Sequence, residues 1–338
     1  MKIKKLLYPK AICLNINNSC CLNCWWCYKK DVICDELDYE KYKKFYYSII
    51  CDHISTVSLI GGEPTEHRDF LKIVKLIKGK NILLNTNVLA FSDIELLKEC
   101  IVNTYSKQSL WLTIALKGYS SKSYYDTTGS KTGFNRLCKA IDNIKKEGIP
   151  HTLTYVYDHE LSDLEINLFY YFLLEKRIET IVISDLRVYI EKGQLIKPEY
   201  NINNYEKAIS WFLSKGINVY ARVNRPLCLY NKKFIQGLLD RGKLITSCAV
   251  KKRNGFFISS QLEVIACNQL DSYKLGVFEQ NFNSYEEMCR IWNSDNIINY
   301  FDILAGYPMK KCITCNWWKI CGGGCVLNWK KGGDNYEI

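Results

Sequence analysis

From residue 11 to about 222 the chain alternates short apolar runs with stretches whose apolar positions recur every three or four residues. The short runs predict strands over 11–17, 56–60, 81–85, 110–116, 150–157 and 180–185. Between them, residues 38–50 set Tyr42, Phe45, Tyr46 and Ile49 on one helical face. Residues 134–147 do the same with Phe134, Leu137, Cys138, Ile141 and Ile144, ahead of Gly148, a residue suited to closing a helix. Strand and helix in strict alternation build a parallel sheet with right-handed crossovers. Periodicity alone leaves an open doubly wound sheet and a partial barrel equally open. The alternation stops near residue 222, and a boundary is expected at about 224, dividing 1–223 from 224–338.

Composition narrows the picture. The chain has 338 residues and 17 cysteines, enough length to bury a full core. No apolar run is long enough for a membrane span, and the basic N-terminus lacks the apolar core and cleavage site of a secretion signal. A cytoplasmic location is expected, where cysteines in this number serve as metal ligands rather than disulfides. The formal net charge is +11, from 46 Lys and Arg against 35 Asp and Glu. Part of that excess would offset anionic thiolate clusters, and the rest favours an acidic partner such as a peptide. Nucleic acid fits less well, because the basic residues fall in scattered Lys-Lys pairs with no basic-aromatic stripe.

Candidate chemistry centres on Cys20-Cys21-Leu22-Asn23-Cys24-Trp25-Trp26-Cys27-Tyr28. Cys20, Cys24 and Cys27 stand in C-x3-C-x2-C spacing, which gathers three thiolates on one loop and leaves one iron of a four-iron cluster free of protein. A zinc knuckle or plain packed cysteines are the alternatives at this point. Cys21 also stands in C-x2-C spacing with Cys24 and is taken as packing. The second predicted strand ends in Leu59-Ile60-Gly61-Gly62-Glu63-Pro64, where two glycines let the backbone approach a ligand that any Cβ would exclude.

These two motifs, with an aromatic directly after the last Cys, closely resemble the radical S-adenosylmethionine (SAM) enzymes. The resemblance implies a partial (β/α)6 TIM-like barrel, with a 4Fe–4S cluster on Cys20, Cys24 and Cys27, SAM at its open iron, and Tyr28 near the adenine. Gly61, Gly62 and Glu63 would hold the SAM amino group. Asn85-Thr86-Asn87 resembles the Thr-Asn-Gly segment common at the next strand end, with Val88 in place of Gly, and Asn85 and Asn87 are carried over as SAM contacts. The fourth strand ends Ala115-Leu116-Lys117-Gly118, where many relatives have Ser-Leu-Asp-Gly. Lys117, with its reversed charge, and Arg187 are candidates for the SAM carboxylate. A solvated lysine and a plain surface arginine are the plainer readings.

Cys312, Cys315, Cys321 and Cys325 follow C-x2-C-x5-C-x3-C spacing, and with Cys228, Cys248 and Cys267 they resemble the SPASM extension of peptide-modifying radical SAM enzymes. The resemblance implies a small loop-rich domain with one or two auxiliary 4Fe–4S clusters. Cluster I would take Cys228, Cys248, Cys267 and Cys325. Cluster II would take Cys312, Cys315 and Cys321 and lack a fourth cysteine, leaving an open iron or an oxygen ligand such as Asp334. Leu262 stands where the family usually has Gly. Gly322, Gly323 and Gly324 would wrap a cluster, with Trp317 and Trp318 shielding it; a single structural zinc is the alternative. Cys289, on a helical pattern, reads as a packed thiol; Cys13, Cys34, Cys51, Cys100 and Cys138 fall mostly on strand or helix patterns, and one of them could be a hydrogen-atom donor.

The implied function is a maturase that abstracts a hydrogen atom from a ribosomally made precursor peptide and forms an intramolecular carbon–carbon or thioether crosslink. The implied partners are that peptide and an external electron donor of flavodoxin or ferredoxin type. Because the Cys loop starts by residue 20, leader binding is expected at the barrel rim, the 188–215 segment or a separate protein. Peptide epimerisation and formylglycine formation are the enzymatic alternatives. The latter is weakened by Asn268, where those enzymes carry Asp after the preceding Cys. A multi-cluster electron carrier or a metal-stabilised binding protein is the alternative of another class, and it would have no use for Gly-Gly-Glu-Pro.

Overall fold

The computed structural model describes residues 6–29, 35–191, 194–199, 201–246, 248–270 and 273–329. Six parallel strands follow the apolar runs: β1 (Ala11–Asn15), β2 (Thr56–Ile60), β3 (Asn81–Thr86), β4 (Leu110–Leu116), β5 (His151–Tyr157) and β6 (Thr180–Asp185). Beyond them lie a separate hairpin of β7 (Tyr189–Glu191) and β8 (Gln194–Ile196), and then β9 (Asn218–Arg222), β10 (Leu244–Ile245), β11 (Phe256–Ile258), β12 (Glu263–Ile265) and β13 (Lys274–Val277). One sheet runs β10-β9-β6-β5-β4-β3-β2-β1-β11-β12-β13. It is parallel from β10 to β11, while β12 runs antiparallel to both of its neighbours, β11 and β13.

The period-two pattern explains how the sheet is covered. Ile12, Leu14, Val57, Leu59, Ile82, Leu84, Leu112, Ile114, Leu153, Ile181 and Ile183 are buried on one face, each contributing roughly 1.5–3 kcal/mol of apolar burial. The alternate residues Cys13, Ser58, Asn85, Thr113, Ala115, Thr152 and Thr154 are only half-buried and form a mostly polar inner face. Helix Gly133–Lys146 buries Leu137, Ala140, Ile141 and Ile144, and Gly148 follows at φ 67°. The helix expected over 38–50 is α-helical for Tyr39–Phe45 and continues as a π-turn over Tyr46–Ile50.

The sequence reading stopped at six β/α units, whereas the sheet continues past residue 224. Helix Ile202–Ser214, closed near Gly216 at φ 83°, leads into β9 as a seventh unit. Its strand is short and carries Asn and Arg at its ends, which hid it. β11 then pairs with β1, so β11, β12 and β13 extend the sheet from the opposite end. Among the described residues no helix is long and apolar enough to cross a membrane.

Candidate functional site

The parallel strands all deliver their ends to one edge, where ligands of α/β folds gather. At β1 the chain leaves as Asn17-Asn18-Ser19 and enters the cysteine loop. Asn17 pins this exit: its Nδ2 donates to the Glu63 carbonyl at 2.9 Å and to Ser19 Oγ at 3.0 Å. Gly62 N donates to the Asn17 carbonyl at 2.8 Å and Glu63 N to the Ser19 carbonyl at 2.7 Å. A Cβ on Gly61 would stand 2.0 Å from Asn17 Oδ1, and one on Gly62 would stand 2.2 Å from the Ser19 carbonyl. The close approach expected of the two glycines is therefore made to the cysteine loop itself, which they seat against β2.

The far side of the loop is tied down as well. Asn23 N and Trp25 N donate to the carbonyls of Thr128 and Thr127 at 3.2 Å. Trp25 Nε1 and Trp26 Nε1 share Asp158 Oδ2 at 3.2 and 2.9 Å, and Asp158 Oδ1 pairs with His159 Nδ1 at 2.7 Å. Asp158 directly follows β5, on the same edge as Gly61 and Glu63; that position was the signal by which it could have been found. The His159 pKa is raised, first by its bond to Asp158.

Between these anchors Cys20 is exposed, Cys27 half-buried and Cys24 buried. The Cys24 thiol is pushed up by burial, with Lys117 opposing and the thiols of Cys27 and Cys20 adding to the rise. Asn87 Nδ2 lies 3.8 Å from Cys20 Sγ and 3.9 Å from Cys21 Sγ. Cys21, expected as packing, is exposed beside Cys20.

Glu63 is the hub of the shelf opposite the loop. Its buried Oε1 accepts from Thr65 N at 3.2 Å, Thr65 Oγ1 at 2.7 Å and Thr86 Oγ1 at 2.6 Å, and Oε2 accepts from Asn87 N at 2.6 Å. Burial pushes this carboxyl up, against the pull of those donors. Asn85 instead turns to the inner face and donates to Ser58 Oγ at 3.1 Å. Val88, standing where relatives have Gly, keeps a left-handed φ of 58°, and Leu262 does likewise at 59°. Both departures change the side chain and retain the backbone conformation that Gly adopts without strain.

Lys117 Nζ sits 4.2 Å from the Trp26 ring centroid, beside Cys24. Arg187 stands 5.9 Å from the Tyr28 ring centroid and holds down the thiol pKa values of Cys267 and Cys325. With the Gln269 amide oxygen turned toward it, Arg187 donates at 2.9 Å from Nε. Arg222, at the end of β9 and absent from the sequence-based candidates, has its pKa lowered by burial and then by the nearby Arg187 charge. Tyr28 is half-buried, and burial raises its hydroxyl pKa.

The downstream cysteines separate in space. Cys267 follows β12 at one end of the sheet, whereas the Cys325 amide donates to the Asn224 carbonyl at 2.7 Å after β9, toward the other end. Yet the thiolates acting most on Cys267 are those of Cys325 and Cys248, after burial, which lifts its pKa to about 11. The two ends of the sheet thus meet at this edge. Cys228, expected with that group, directly follows Leu227, whose N points at Cys321 Sγ at 3.3 Å. Cys13 faces Ser58 and Asn268, and burial pushes its thiol up to about 12. Cys100 and Cys289 are buried, as packed thiols should be. Cys34 and Asp334 lie outside the described residues.

Among the described residues no three His, Cys, Asp or Glu side chains form a group able to hold a single metal ion. The donor set suits a multi-iron cluster, whose thiolates stand further apart than those round one zinc. Asn15 Oδ1 and Asn17 Oδ1, at the root of the loop, are buried acceptors without a donor in the protein, as a shelf for an ammonium-bearing ligand would present. The cleft of about 600 Å³ near Lys10, His53 and Tyr105 is at the opposite edge and has none of these groups.

Residues 14–171 match the model of the Radical SAM superfamily. A curated relative, GTP 3',8-cyclase of Synechocystis sp., is 27% identical over 161 residues, covering 45% of this chain and 47% of that protein. The match therefore spans less than half the length of that relative. Among solved structures, SuiB of Streptococcus suis bound to S-adenosylmethionine superposes with a TM-score of 0.68 at 17% identity, covering 95% of this chain and 74% of that one. SuiB bound to its precursor peptide SuiA gives 0.66 at 17%, covering 95% and 73%. Native anSMEcpe with bound AdoMet and the Kp18Cys peptide gives 0.69 at 18%, covering 96% and 91%. Residues 14–171 thus carry the similarity to the Radical SAM superfamily, and the chain shares the α/β, TIM-like fold of these structures.

Proposed function

We propose that this chain is a radical SAM enzyme that abstracts a hydrogen atom from a ribosomally synthesised precursor peptide and closes an intramolecular carbon–carbon or thioether crosslink. The observation that carries the reading is the seating of the Cys20–Cys27 loop against the Glu63–Asn87 shelf, where Asn87 Nδ2 lies 3.8 Å from Cys20 Sγ. When bound, a 4Fe–4S cluster with SAM supplies a 5′-deoxyadenosyl radical able to take hydrogen from unactivated carbon.

The protein's own part is position and exclusion of water. Cys20, Cys24 and Cys27 would hold the cluster, while Asp158, through Trp25 and Trp26, and Gly61 and Gly62, through Asn17, keep the loop in register. Asn15, Asn17 and the Glu63 segment would receive the SAM amino group, with Lys117 or Arg187 at its carboxylate. Thr113, Thr152 and Thr154 on the inner face would line the path of the peptide. Residues 1–223 would generate the radical, and 224–338 would hold auxiliary 4Fe–4S clusters that take up the electron left on an oxidised product. Arg187 and Arg222 favour an acidic peptide, and the β7–β8 hairpin is the candidate leader contact. An external flavodoxin or ferredoxin would supply electrons.

A second reading, epimerisation, is favoured by Cys13, a thiol on the inner face that burial keeps protonated and able to return a hydrogen atom. One experiment separates these. Reconstituted enzyme is incubated with SAM, dithionite and the peptide encoded beside its gene, and the product is read by mass spectrometry. Loss of two hydrogens supports crosslinking. Unchanged mass with deuterium uptake supports epimerisation, and the absence of 5′-deoxyadenosine sinks both.

A further inference from the structure

The C-terminal cysteine run is held at two points by the segment that follows β9. At Asn224 the carbonyl accepts from Cys325 N at 2.7 Å and from Asn328 Nδ2 at 2.8 Å. Three residues on, Leu227 N points at Cys321 Sγ at 3.3 Å. Between Cys321 and Cys325 the chain passes through Gly322, Gly323 and Gly324 at φ 51°, 78° and 73°. Three successive left-handed residues, open to glycine and costly to others, reverse the backbone so that the two cysteines point to different places. A Cβ on Gly324 would lie 2.5 Å from the Asn224 carbonyl, so the reversal is also packed tightly against the barrel. Lys251 Nζ donates to the carbonyls of Gly322 and Gly324, and the thiols of Cys248, Cys325, Cys321 and Cys312 all act on it, against the burial that lowers its pKa.

On the barrel side of this divide, Cys325 is grouped with Cys267 and Cys248 beside Arg187. On the outer side the backbone gathers the others. Cys315 N donates to the Cys312 carbonyl at 3.3 Å, Trp318 N to the Cys315 carbonyl at 3.0 Å, and Cys321 N to the Trp317 carbonyl at 2.7 Å. Cys228 belongs to the short turn Leu227–Leu229, whose Leu227 is buried while Cys228 is exposed, as Cys315 is. The thiolates acting most on Cys312, after burial, are Cys321, Cys228 and Cys315. Leu227 N and Gly323 N, each 3.3 Å from Cys321 Sγ, already supply the amide donors that a ligating thiolate accepts.

We infer that Cys228 completes a closed four-thiolate iron–sulfur site with Cys312, Cys315 and Cys321, leaving Cys248, Cys267 and Cys325 as a separate three-thiolate site. The fourth ligand that the run lacks in its own stretch of sequence is thus supplied from the end of β9, about ninety residues upstream by the Leu227–Cys321 separation. This rests on the proposal that the region holds auxiliary clusters.

The test uses the anaerobically reconstituted full chain. In a background with C248A, C267A and C325A, iron falls from about twelve to about eight per chain, at four irons per cluster. Adding C228A to that background removes a further four or converts one cluster to a three-iron form with its own EPR signal. No change on adding C228A overturns the grouping, because Cys228 then belongs with the three already removed. Wild type holding only about four irons at four per cluster overturns the auxiliary-cluster reading itself, a distinguishable failure. A second measurement needs no variant. In wild type, iodoacetamide leaves Cys228 unlabelled despite its exposure, and Cys228, Cys312, Cys315 and Cys321 become labelled together as ferricyanide strips the cluster. Rapid labelling of Cys228 alone in the loaded protein also overturns the grouping.

Discussion

Glu63→Gln is the sharpest probe of how the site is held, because it keeps volume and removes one acceptor. The carboxylate serves four donors, three at Oε1 and one at Oε2. If the glutamine oxygen takes the Oε1 place, its NH2 faces Asn87 N, a donor against a donor 2.6 Å away. Turned the other way, it abandons Thr86 and both groups of Thr65. The smaller loss is one charge-assisted bond and a stranded amide, about 2–3 kcal/mol. Glu63→Ala strands all four donors in a buried space and costs more, roughly 3–5 kcal/mol. Urea unfolding of the cluster-free chain should therefore rank wild type above E63Q above E63A. Because Asn87 also reaches Cys20 Sγ, reconstituted iron at the loop should fall in the same order. E63Q unfolding at the wild-type midpoint with full iron would refute the account of Glu63 as the tie between β2, β3 and the loop.

Gly62→Ala drives a Cβ to 2.2 Å from the Ser19 carbonyl, and overpacking of this kind costs about 1–3 kcal/mol. Loop iron should drop while the far-ultraviolet dichroism stays native; full iron retention would count against the seating role. Asp158→Ala strands both indole N–H groups of Trp25 and Trp26, costing on the order of 2 kcal/mol. Tryptophan emission should shift red and iron on Cys20, Cys24 and Cys27 become more accessible to chelator, with an unaltered chelation rate as the adverse result. Asp185 is buried, and desolvation lifts its pKa from 3.8 to about 6 against donors including Tyr230 and Asn224. The folded chain keeps a proton that the unfolded chain has released between those values, so this group's contribution to stability is full below the lower value. It is lost as pH rises through about 6, by about 3 kcal/mol. Asp185→Asn should flatten the wild-type fall in unfolding free energy between pH 4 and about 7, and equal slopes in the two proteins would exclude Asp185 as its source.

The parallel strands and the cysteine loop were legible because both depend on near neighbours in the chain. Apolar alternation at Leu110–Leu116 or Thr180–Asp185 specifies a strand wherever a core is available, and three thiols within eight residues converge in any compact loop. Gly61 and Gly62 were recognised as places of close approach, but what approaches them depends on Asn17–Ser19, more than forty residues away by the Asn17–Glu63 separation of 46. Asp158 and Arg222 carry no local motif, and each gained its place only from the rule that parallel strands end together. Val88 and Leu262 look like losses of glycine in the sequence, while the backbone keeps φ values of 58° and 59° at both.

The cysteine array marks the limit most clearly. Its spacing established that thiols recur, and that those of Cys312, Cys315 and Cys321 are close enough along the chain to share a ligand. Spacing could not decide which group Cys228 joins, and the placing of Cys325 with Cys267 came from the family resemblance instead. Those pairings arise where the ends of an extended sheet come together, and the chain between them contributes only a loop closure whose cost rises slowly with length. Separation in sequence therefore says little about which distant loops meet. Packing around Asn224 and the three left-handed glycines decides it.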